Sequence, residues 1–172
     1  LVMAEDPKTR SLLLSVLDGH GEDGDKVSQS LKSKFANYLF KHAEFEKGVE
    51  GMKTALRDVI ARMETEILRD PSIETDFSGT TFTAAVIRGN SVLTCNIGDS
   101  RVTIGYRGGA TGTGRVTAQA LTEDHKPDLP ADQLRVSFQR KAALQHRTCL
   151  DDGSVTMDGN QQEALFESLK PK

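Results

Sequence analysis

The hydrophobic period changes once along this chain, and that change limits the folds open to it. Val27, Leu31, Phe35, Tyr38 and Leu39 recur at the helical spacing of about 3.6 residues, as do Val49, Met52, Leu56, Val59, Ile60, Met63 and Ile67. From Ser78 onward the apolar residues alternate at a period of about 2, over residues 80–87, 91–97 and 101–106. The pattern predicts two amphipathic helices, the second ending before Pro71, followed by an antiparallel meander of three strands whose first turn is Arg88-Gly89-Asn90. A hairpin is predicted ahead of the helices, since residues 1–4 and 11–17 are apolar and Glu5-Asp6-Pro7-Lys8 between them reads as a turn. A further strand is predicted over residues 116–121. Beyond Pro130 the pattern weakens: residues 134–144 and 161–169 read as helices and Asp151-Asp152-Gly153 as a turn. The glycine-rich residues 108–114 lack the Gly-Lys-Ser/Thr ending of a phosphate loop and read as a strand connection. With no internal repeat or low-complexity tract, one domain is expected.

Composition excludes some partners. The chain has 172 residues, 37% of them hydrophobic, and a formal net charge of -3, which gives no electrostatic reason to expect nucleic acid or an anionic membrane. No apolar run reaches membrane-spanning length and no signal peptide opens the chain, so a cytoplasmic or nuclear monomer is expected. Cys95 and Cys149 stand far apart in no metal-type spacing, which suits a reducing compartment.

The chemistry concentrates where the apolar residues 12–17 run into Asp18-Gly19-His20-Gly21. Strand ends commonly mount polar sites, and Gly19 lets another group approach its carbonyl closely. Asp18, a backbone carbonyl and the nearby Glu22, Asp23 and Asp25 make an anionic, all-oxygen environment suited to magnesium or manganese. His20 beside such an ion could donate a proton to a departing oxygen. Taken alone, Asp-Gly is also a common turn dipeptide, and an isolated Asp-Gly-His-Gly is more often a polar loop than a metal site. An EF-hand is the poorer fit, because neither Asp18 nor Asp23 starts the required alternation of ligands with glycine at the sixth position.

Four segments in order carry a family resemblance: Val16-Leu17-Asp18-Gly19-His20-Gly21, Ser78-Gly79-Thr80-Thr81, Asn96-Ile97-Gly98-Asp99-Ser100-Arg101, and Leu121-Thr122-Glu123-Asp124-His125-Lys126-Pro127. With two helices between the first and second, the chain resembles the metal-dependent Ser/Thr protein phosphatases of type 2C, over about residues 12–135. Residues 136–172 are left unassigned. The resemblance implies an α+β fold, an αββα sandwich of two antiparallel sheets flanked by helices, incomplete in this chain. It implies hydrolysis of phosphoserine and phosphothreonine in protein substrates by metal-activated water, using two catalytic Mg2+ or Mn2+ ions and in some members a third. By position, Asp18 matches the carboxylate bridging the two ions, Gly19 a carbonyl ligand, Asp99 a ligand of the third ion, and His20 the general acid. Ser78 to Thr81 and Asp124-His125-Lys126 match structural parts of the motif set, expected to be turns and strand ends held by side-chain hydrogen bonds.

The chain departs from the family pattern at both ends. The family's upstream Arg and Glu-Asp pair has no match, since Glu5-Asp6 falls in the predicted turn, and the true pair is expected ahead of Leu1. The downstream Asp-Gly-x-Trp-Asp motif is absent, there being no Trp. A partial catalytic domain, largely inactive alone, is therefore expected, with a pseudophosphatase or interaction module as the alternative. A minor rival is a thiolate phosphatase, because Cys95 and Arg101 satisfy Cys-x5-Arg. Against it stand Thr94 in place of the usual His, the charge of Asp99, and a strand pattern after Arg101.

Overall fold

In the computed structural model the described residues are 1–107, 114–126 and 155–156. The chain opens with the predicted hairpin, β1 (Val2–Asp6) and β2 (Ser11–Val16), and passes through the short β3 (Gly19–His20) into helices α1 (Gly24–Phe40) and α2 (Gly48–Leu68). There follow β4 (Gly79–Thr80), β5 (Phe82–Arg88), β6 (Ser91–Ile97), β7 (Thr103–Arg107), β8 (Val116–Ala120) and β9 (Val155–Thr156). The central sheet has the order β1-β2-β5-β6-β9, antiparallel throughout.

Register explains why both faces of this sheet are apolar. Leu13, Val86 and Leu93 lie opposite one another across β2, β5 and β6, as do Leu12, Ile87 and Val92 one residue along. Successive side chains point to opposite faces, so each row serves a different core. The first row joins Val27, Leu31, Phe35, Leu39, Met52, Leu56, Val59 and Met63 from the helical stripes. Phe35 of α1 meets Phe82 of β5 with ring centroids 4.5 Å apart in a tilted arrangement, a favourable aromatic geometry. The second row packs against Val102, Ile104 and Leu121 at the β7 and β8 end of the chain. Helices therefore cover one face of the sheet and β-structure the other.

Three sequence expectations need correction. The third strand of the expected meander does not add to β6; β7 pairs with β8 in a separate two-stranded ladder, Thr103 opposite Ala120, because Gly98-Asp99-Ser100 turns the chain out of the first sheet. The strand expected over residues 80–87 is broken at Thr81, since Gly79–Thr80 pairs with Gly19–His20 while β5 starts at Phe82. Glu5 and Asp6 belong to β1, not to the turn, which is formed by Pro7 to Arg10. The glycine-rich connection at 108–113, the helices expected at 134–144 and 161–169 and the turn at 151–153 lie outside the described residues. Among the described residues no helix is long and apolar enough to cross a membrane.

Candidate active site

Asp18 follows β2 at the end of the sheet where β5 begins and β6 ends, since Val16 is opposite Thr83 and Thr83 opposite Asn96. The three motif segments around it converge on Thr81. The Asp18 N–H donates to Thr81 Oγ1 at 3.1 Å, and the Thr81 N–H donates back to the Asp18 carbonyl at 2.9 Å. The same Thr81 Oγ1 lies 2.9 Å from Ser100 Oγ, next to Asp99 in the chain. One hydroxyl therefore ties the backbone of Asp18 to the loop that carries Asp99. Gly98 at φ +100 fits under Thr81, where an added Cβ would stand 2.8 Å from Thr81 Cγ2.

Glycines let the neighbouring backbones approach. A Cβ on Gly19 would come within 2.2 Å of the Gly24 carbonyl oxygen, so the first turn of α1 packs directly on the Gly19 backbone. The N-terminal end of a helix carries partial positive charge, which favours a carboxylate or phosphate beside it. His20 is exposed and pairs with Gly79, and a Cβ at Gly79 would sit 2.9 Å from His20 Cε1 and Nε2. The imidazole thus lies over bare backbone with its ring open to solvent. Ser78, buried, accepts the Asp23 N–H at 3.0 Å and holds this loop to the start of α1.

The fourth segment braces the third. Arg101 donates from Nε and Nη2 to the two carboxylate oxygens of Asp124, both at 2.7 Å, a bidentate pair. With this hydrogen bond from Arg101 as the main cause, the Asp124 carboxyl is lowered to about 2. His125 donates its N–H to the Gly98 carbonyl at 2.9 Å and accepts the Gly98 N–H on Nδ1 at 3.3 Å. Buried Asn96 accepts from Thr83 Oγ1 and donates to the carbonyls of Gly98 at 3.1 Å and Glu123 at 2.9 Å. The Ser78 to Thr81 and Asp124 to Lys126 segments are thus turns and strand ends held by side-chain hydrogen bonds. Thr81 as the junction, and its contact with Ser100, were not foreseen, because they depend on a register that one sequence does not reveal.

The acids near Asp18 divide into engaged and available. Asp23 accepts the Glu74 N–H at 2.7 Å and an ion pair from Lys26 at 2.6 Å, so its carboxylate is occupied. Asp6 is opposite Ser11, at the far end of β2 from Asp18, and accepts the N–H groups of Lys8 at 3.3 Å and Thr9 at 3.1 Å. At about 3.3 Å per residue, that end lies roughly 20 Å from Asp18. Glu5-Asp6 is therefore no metal pair for this site, although it sits on β1, the strand paired with β2. The carboxylates of Asp18 and Asp99 are exposed. Oxygen donors on a bare backbone suit a hard divalent cation in kind. Among the described residues, however, no group of three or more His, Cys, Asp or Glu side chains comes together to hold one. The residues present fit such an ion as part of its ligand set.

The thiolate rival is contradicted. Cys95 is 1% exposed within the helix-facing core, and Arg101 is committed to Asp124. No phosphate can reach that sulfur without opening the sheet.

This site and fold define a class. The sequence model of the family described as "Protein phosphatase 2C" matches residues 2–143. Protein phosphatase 2C homolog 2 of Hypocrea jecorina is 35% identical over 135 residues, covering 77% of this chain and 28% of that protein. Protein phosphatase 2C homolog 3 of Schizosaccharomyces pombe is 35% identical over 122 residues, covering 71% of this chain and 27% of that protein. In fold, the chain is similar to the crystal structure of serine-threonine phosphatase 2C from Toxoplasma gondii, with a TM-score of 0.64 at 19% identity over 97% of this chain and 57% of that one. The chain belongs to the protein phosphatase 2C family. It spans 28% of the length of the Hypocrea jecorina relative.

Proposed function

We propose that this chain is part of the catalytic domain of a protein serine/threonine phosphatase dependent on Mg2+ or Mn2+, which hydrolyses phosphoserine and phosphothreonine in protein substrates. The observation that carries the proposal is the Thr81 hydroxyl, which joins the backbone of Asp18 to Ser100, the neighbour of Asp99, at one end of the sheet. In this reading Asp18 and the Gly19 carbonyl would hold the catalytic ions, and Asp99 a third. When bound, the ions supply the positive charge that lowers the pKa of attacking water and offsets charge on the phosphoryl oxygens.

The chain's own residues have two tasks. Asp18 is fixed at its backbone by Thr81, and Gly24 packs on the adjoining Gly19, so its carboxylate is offered from a braced backbone just past the end of β2. His20 handles the proton. As water oxygen bonds to phosphorus and the ester P–O bond breaks, the leaving serine or threonine oxygen takes a proton from the imidazolium and departs as an alcohol. Gly79 leaves the space in which that ring stands.

A second reading has one observation in its favour. The described residues bring together fewer than three acidic or imidazole ligands, which suits a pseudophosphatase or an interaction module that keeps the sandwich. Hydrolysis of a phosphothreonine peptide separates the two, measured with Mn2+, with EDTA and after iodoacetamide. The phosphatase reading expects the intact protein to turn over with Mn2+, to stop with EDTA and to survive iodoacetamide, with residues 1–172 alone nearly inactive. No metal-dependent turnover by the intact protein would favour the second reading.

A further inference from the structure

Phe77 has no part in the chemistry described, yet it is 84% exposed, more than any other large hydrophobic side chain among the described residues. A single exposed apolar residue is ordinary, but this one is held in place. Its N–H donates to Glu74 Oε2 at 3.3 Å. Its carbonyl packs on Gly21 so closely that a Cβ there would lie 2.3 Å from the Phe77 oxygen. Ser78, the next residue, is buried and bonded to the start of α1, and Gly79 lies beneath the His20 ring. The backbone of Phe77 is therefore pinned two residues from the glycine that underlies the imidazole, and its ring projects with nothing among the described residues covering it.

Spacing says what could use it. Phe77 and Gly79 are two residues apart, a separation of at most about 7 Å. That is the span from a phosphorylated residue to its second neighbour in an extended peptide, at about 3.3 Å per residue. A phosphoryl group facing His20 would bring the side chain one or two positions away into reach of Phe77. Exposed carboxylates at Glu22 and Asp76 flank this surface and would repel an acidic side chain.

We propose that Phe77 is a specificity-determining residue of the phosphatase site, an apolar anchor for the side chain one or two positions from the phosphorylated serine or threonine of a protein substrate. The proposal rests on the phosphatase reading above and adds the kind of substrate sequence the site selects. It requires no movement of the backbone.

The test uses the intact protein with Mn2+ and three phosphothreonine peptides, differing only in having Leu, Ala or Asp at the two flanking positions, with p-nitrophenyl phosphate as a substrate without flanks. The expected result is a kcat/KM roughly ten-fold higher for the Leu peptide than for the Ala peptide, and lowest for Asp. In Phe77→Ala the ratio of Leu to Ala peptide should fall to about one, and Phe77→Leu should restore most of it. An unchanged ratio in Phe77→Ala, or a parallel loss on every substrate including p-nitrophenyl phosphate, would overturn the proposal, the latter showing a purely structural ring. Absence of p-nitrophenyl phosphate turnover by the unsubstituted protein would instead overturn the phosphatase reading on which it stands.

Discussion

Thr81 and Asp18 hold each other by their backbones: each N–H is bonded to the other residue, one to the hydroxyl at 3.1 Å and one to the carbonyl at 2.9 Å. Because the same hydroxyl meets Ser100 at 2.9 Å, a residue with no acid-base chemistry of its own fixes where two candidate metal-binding segments stand.

Removing that hydroxyl should loosen both segments at once. Thr81→Val keeps the shape and deletes two hydrogen bonds, which is expected to cost about 1–2 kcal/mol in the free energy of unfolding by urea. Thr81→Ser should retain most of the stability. A loss in Thr81→Ser with none in Thr81→Val would mean that the methyl group, packed on Gly98, matters and the hydroxyl does not.

The His20 ring stands where a Gly79 side chain would go, with Cε1 and Nε2 both 2.9 Å from an added Cβ. Gly79→Ala should displace the imidazole and lower kcat for a phosphothreonine peptide by about 100-fold, the lower end of the range for general acid catalysis. The loss on p-nitrophenyl phosphate should be much smaller, since its leaving group needs no proton. Equal losses on both substrates would take the general-acid role from His20.

Asn96 is 2% exposed and donates to two backbone carbonyls, that of Gly98, which also accepts the His125 backbone N–H, and that of Glu123. Asn96→Ala leaves both without this donor and opens a small cavity, so a loss of about 3 kcal/mol is expected in chemical denaturation. A change below about 0.5 kcal/mol would show that water replaces the amide without cost.

Asp124 gives the acid limb of stability a definite sign. Its carboxyl is lowered from 3.8 to about 2, chiefly by the hydrogen bond from Arg101. Between those values the unfolded chain binds a proton that the folded chain does not, so this contribution is complete above about pH 4 and is lost as pH falls towards 2. Asp124→Asn should flatten the dependence of unfolding free energy on pH in that window. An unaltered slope would mean that the pair with Arg101 is too screened by solvent to matter.

What was legible in the sequence was what period and order encode. The stripes Val27 to Leu39 and Val49 to Ile67 lie on α1 and α2, and the hairpin around Pro7 is formed as expected, because helix and strand periods express burial of one face. Cys95 could be doubted as a nucleophile from the alternation after Arg101, and its burial bears that out. The path of β7 was not legible: Thr103 to Arg107 alternates as well beside β8 as it would beside β6, and period says nothing about which partner is chosen. The role of Thr81 was hidden for the same reason, since its two contacts join residues 63 and 19 positions apart.

The most direct test of the account is a Mn2+ titration of the intact protein, followed by the loss of the free-ion electron paramagnetic resonance signal, with Asp18→Asn beside the unsubstituted chain. The account predicts that Asp18→Asn weakens Mn2+ binding at least about ten-fold, because a neutral amide cannot replace a carboxylate toward a hard cation. Equal Mn2+ affinity in the two proteins would contradict it.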